Sequence, residues 1–169
     1  MTDQQEFEDT MGAALDAVQL NDPDRTMHAL ADLTALGEPA LRAAALRLAA
    51  DGADLIRRLL PDQGHDSTDS PDSTDPTDST RSMVELRLTD VDGSTVTIDD
   101  LEPTLRSAIR MVLSLVNGGE ASVMEQLDLV CGVTDDSDEG QLALASVVIQ
   151  LLMWTTQLDE HRPGQRPWH

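Results

Sequence analysis

The chain has 169 residues, with 32 acidic side chains against 11 basic ones and a formal charge of −21. Every basic residue is an arginine, and one cysteine, one phenylalanine and no tyrosine are present. The missing lysine excludes a P-loop nucleotide site and Schiff-base chemistry, the single cysteine excludes an internal disulfide or a multi-cysteine zinc site, and the charge disfavours direct binding to nucleic acid or an anionic membrane.

The arginine-rich, lysine-free composition fits a GC-rich bacterial coding sequence. The N-terminal MTDQQEFEDT has neither a basic nor an apolar region and does not read as a secretory signal. The most apolar stretch, Leu142 to Trp154, falls short of the roughly 20 residues that span a bilayer. A cytoplasmic protein without membrane contact is the expectation.

Residues 1–60 read as a three-helix unit. Phe7, Met11, Leu15 and Val18 recur at helical steps on a first helix. Asn21-Asp22-Pro23 ends it and opens the next, with Asp22 as cap and Pro23 in the first turn. Met27, Leu30 and Leu33 mark a short second helix that Gly37 stops. Pro39 opens a third, with Leu41, Ala45, Leu48, Leu55 and Leu59 inward and Pro61 barring continuation. Gly52 inside it either weakens the helix or marks a kink or a close helix approach.

Residues 61–82 carry no core-forming pattern. Asp66, Asp69, Asp72, Asp75 and Asp78 repeat every third residue among Ser, Thr and Pro, which predicts a disordered acidic linker.

Residues 83–160 read as a β-hairpin followed by a second three-helix unit, with 161–169 as a flexible tail. Val84, Leu86 and Leu88 alternate with charged residues, Val96 and Ile98 alternate with threonines, and Asp92-Gly93 supplies the turn. Asp99-Asp100 caps a helix bearing Leu101, Leu105, Ile109, Val112 and Val116, and Asn117-Gly118-Gly119 stops it. A fifth helix carries Val123, Met124, Leu127 and Val130 and ends at Gly132. A sixth, after the acidic loop 135–139, is apolar almost all round. It is expected to be the most buried, with one face of Leu144, Val148 and Leu152 and another of Leu142, Ala145 and Ile149.

The fold class is thus mainly α: two three-helix units with one hairpin before the second, joined by an acidic linker. The units look alike. Met27, Leu30 and Leu33 align with Met124, Leu127 and Val130, and four extra loop residues then align Leu41, Ala44 and Leu48 with Leu142, Ala145 and Ile149. A three-helix unit of this size is marginal alone, so the units are expected to pack together or the chain to dimerise.

No constellation points to catalysis. Asp135, Ser137, Glu139 and Gly140 begin a calcium-loop pattern, but its twelfth position is Ser146 where a bidentate glutamate is needed. The turn containing Asp90, Asp92 and Gly93 puts Leu88 at the first ligand position. His28, His65, His161 and His169 lack ligand spacing, Cys131 lacks a base, and Gly118-Gly119 marks a helix stop. Neither metal nor cofactor is expected.

The leading functional expectation is a non-enzymatic, acidic interaction or regulatory protein of adaptor type, steered by charge toward another protein with a basic surface. A DNA mimic that blocks a nucleic-acid-binding protein and an assembly chaperone are the alternatives. A continuous negative stripe would favour mimicry, and a mixed surface with an apolar patch would favour an adaptor. The candidate interaction surface is the hairpin row Val84, Leu86, Leu88, Val96 and Ile98. Its open edge suits a homodimer that proline at Thr97 would weaken.

Overall fold

The computed structural model describes residues 3–60, 88–89, 93–132 and 137–160. The six expected helices are present: α1 (Asp3–Gln19), α2 (Pro23–Ala35), α3 (Glu38–Leu59), α4 (Pro103–Val116), α5 (Glu120–Gly132) and α6 (Ser137–Glu160). The expected linker 61–82 and tail 161–169 lie outside the described residues.

The local punctuation works as its chemistry requires. Asp22 accepts a hydrogen bond from the Arg25 amide at 3.0 Å and caps α2, with Pro23 in the first turn. Gly37, at φ +92°, makes the left-handed step between α2 and α3 that a side chain would strain. α3 stops before Pro61.

Among the described residues the hairpin comprises β1 (Leu88–Thr89) and β2 (Thr95–Val96), antiparallel with Leu88 opposite Val96. Ile98 is not in the strand. It begins a 3₁₀ turn, Ile98–Asp100, because Asp100 captures the end of β2: Thr97 Oγ1 donates to Asp100 Oδ2 at 2.6 Å and the Thr97 amide to the same oxygen at 3.4 Å. That side chain-to-backbone contact competes with continued ladder pairing. The Thr97 amide therefore faces Asp100 and is not a free edge donor. Asp99-Asp100 likewise does not cap α4. Glu102 does, accepting from the Thr104 and Leu105 amides at 3.1 and 3.2 Å, and Leu101 precedes the helix.

All six helices contribute to one core. Its centre is the α3–α6 pair, which makes the most extensive helix contact. Both expected units therefore share one hydrophobic interior. α6 is not buried on two faces. Leu144, Val147, Val148, Leu151 and Leu152 are fully covered, whereas Leu142 is 68% exposed and Ala145 and Ile149 only half-buried. By length and composition alone, Asp138–Leu158 is long and apolar enough to cross a membrane. Only 33% of it is buried in the fold.

The α3 face is corrected as well. It continues through Gly52, Ala53 and Ile56, while Leu55 and Leu59 sit at its margin. Met27 and Met124, expected on inner stripes, are 62% and 46% exposed.

The halves correspond in three dimensions. At an offset of 97 (Pro23 to Glu120), α2 and α5 have the same bounds, and α1 and α4 end at equivalent residues. The turns close with the same hydrogen bonds. Asn21 N–H to Val18 O and Asp22 N–H to Ala17 O match Gly118 N–H to Leu115 O and Gly119 N–H to Ser114 O. This is a Schellman-type closure with a left-handed residue, Asn21 at φ +52° and Gly118 at +79°. The long helices match at an offset of 103 (Leu41 to Leu144). The buried set Leu41, Ala44, Ala45, Leu48, Ala49 and Gly52 corresponds to Leu144, Val147, Val148, Leu151, Leu152 and Thr155. The sequence alignment of Leu41 with Leu142 was two residues out of register. On a helix apolar all round, periodicity does not select the inward face.

Candidate functional site: the charge-free outer face of α6

The internal correspondence provides a comparison within one chain. α3 and α6 hold equivalent places, and three charged positions on the outer side of α3 are uncharged on α6. The outer face of α3 carries Arg47, Asp51 and Asp54, all exposed. Arg47 donates to Glu8 of α1, and Arg57 pairs with Asp54 at 2.9 Å. The equivalent positions on α6 are Gln150, Trp154 and Gln157. No charged residue occurs between Glu139 and Asp159.

The outward strip of α6 consists of Leu142, Ser146, Ile149, Met153 and Gln157, at steps of four, three, four and four. It runs about 22 Å along the helix. Leu142 is 68% and Met153 49% exposed. Met153 and Gln157 form a ridge between two shallow grooves. Val18, Asn21, Asp22, Pro23 and Thr26, at and after the α1–α2 turn, wall one groove. Leu101, Leu105, Ile109 and the half-buried Trp154 line the other. The ridge exists because α6 spends its opposite face on α3 and α4.

Of the hairpin row expected from sequence, Leu88, Val96 and Ile98 fall among the described residues. Val84 and Leu86 lie outside the described residues. Leu88 pairs with Val96, which is half-buried, and Ile98 leaves the strand for the 3₁₀ turn. The α6 strip was missed because an all-round apolar helix reads as fully buried. The available signal was the run of 19 uncharged residues in so acidic a chain.

The remaining chemistry-bearing groups have structural partners. Arg42 on α3 donates from Nε to Glu38 at 2.7 Å and from Nη1 to Asp128 of α5 at 2.7 Å, and the hydrogen bond to Asp128 is the leading cause that raises its pKa. Beside it, burial pushes the Cys131 thiol up, opposed in part by the Arg42 charge. A thiol held protonated is a poor nucleophile. His28 is exposed, with Nδ1 2.7 Å from the Asp24 carbonyl. Glu139 and Gly140 lie within α6, so they do not form the open loop that the calcium pattern requires. Among the described residues no group of three or more His, Cys, Asp or Glu is placed to hold a metal. No protein-family model, curated protein or solved structure matches the chain.

Proposed function

We propose that this protein is a non-enzymatic interaction module of regulatory or adaptor kind, which binds another protein with a basic surface. The observation that carries the reading is a mixed surface, with charge-rich helices on one side of α6 and a charge-free apolar strip on the other. A surface built to imitate a phosphate backbone needs carboxylates in an unbroken row. Here Arg25, Arg42, Arg47, Arg57 and Arg110 each pair with a carboxylate and interrupt that row on α2, α3 and α4. The net charge of −21 supplies long-range attraction for a basic partner and accelerates encounter.

Affinity capture from a lysate of the source organism tests this, with elution by rising salt and, separately, by duplex DNA. Expected is a defined basic protein released by salt and indifferent to DNA. Release of nucleic-acid-binding proteins by DNA would replace the adaptor reading with mimicry. Recovery of no salt-sensitive protein would count against both.

A further inference from the structure

We draw no further inference here: the strongest candidate, the groove between the α1–α2 turn and the outer strip of α6, walled by Val18, Asp22, Pro23 and Met153, is an open face, and nothing in the structure shows what covers it.

Discussion

Gly52 of α3 and Thr155 of α6 occupy equivalent positions in the two halves of the chain and face each other where the central helices touch. A Cβ built on Gly52 would lie 3.3 Å from Thr155 Cγ2 and 3.5 Å from Val112 Cγ2. The Thr155 hydroxyl is buried and donates within its own helix to the carbonyls of Leu151 and Leu152, at 2.9 and 3.1 Å. That bonding fixes the rotamer and leaves the methyl aimed at Gly52. The glycine is therefore a packing residue, and its low helix propensity is offset by close approach of the two helices.

A coupled stability effect follows at this contact. Gly52→Ala gains about 1 kcal/mol in helix propensity but overpacks at a cost of about 1–3 kcal/mol. The expected net is a loss of about 1 kcal/mol in denaturant unfolding. Thr155→Ser keeps the hydroxyl and removes the methyl, so the double variant should recover most of that loss. Equal losses in the single and double variants would disprove the contact's role.

The two sides of α6 should respond oppositely to charge. Leu151→Asp buries a carboxylate without a partner and is expected to abolish the cooperative thermal transition. Leu142→Asp, on the exposed strip, should shift stability by no more than about 0.5 kcal/mol. Comparable effects at both positions would show that the inward face has been misassigned.

Cys131 should be slow to alkylate at neutral pH. Burial raises its pKa above the ordinary thiol value of 9.0, so the thiolate is scarce until the solution is more alkaline than that. The folded pKa exceeds the unfolded one, so the associated stability is fully present below pH 9.0 and falls as pH rises through the folded value. Iodoacetamide labelling followed by mass spectrometry, native against denatured, measures this. Equal rates at neutral pH would refute it.

Glu102 should make α4 sensitive to acid. Hydrogen bonding to Thr104, first from its hydroxyl and then from backbone amides, holds the carboxyl below its ordinary value of 4.5. A depressed folded pKa gives stability that is present above pH 4.5 and is lost as pH falls through the folded value. Glu102→Ala should cost about 1 kcal/mol near neutral pH, as loss of a helix cap does. The difference between variant and wild type should shrink in acid. A pH-independent difference in urea midpoints would contradict this account.

The Arg42–Asp128 ion pair ties α3 to α5 and should matter modestly. A double-mutant cycle with Arg42→Ala and Asp128→Ala is expected to give a coupling below about 1 kcal/mol that declines with salt, as for a solvent-reached pair. A coupling of several kcal/mol, independent of salt, would mean that the pair is effectively buried.

Much of the architecture is legible in the residues because local chemistry decides it. Asp22-Pro23, Gly37, Pro39, Asn117-Gly118 and Pro61 carry backbone restrictions that act over a few residues, and they place the helix boundaries without help from distant contacts. The likeness of the halves was also visible, since the spacing of Met27, Leu30 and Leu33 repeats at Met124, Leu127 and Val130. Tertiary structure decided what periodicity left degenerate. The sixth helix offers apolar residues in every direction, and only packing against α3 selects Leu144, Val148 and Leu151 over Leu142, Ile149 and Met153. That choice sets the register between the halves and leaves the charge-free strip outside. The hairpin ends early for a similar reason. Alternation at Val96 and Ile98 marks a strand, but the Asp100 carboxylate, three residues along, takes the Thr97 amide and hydroxyl and turns the chain toward α4. Patterns along a sequence set which residues prefer burial, and competition among faces and hydrogen-bond partners determines which of them obtain it.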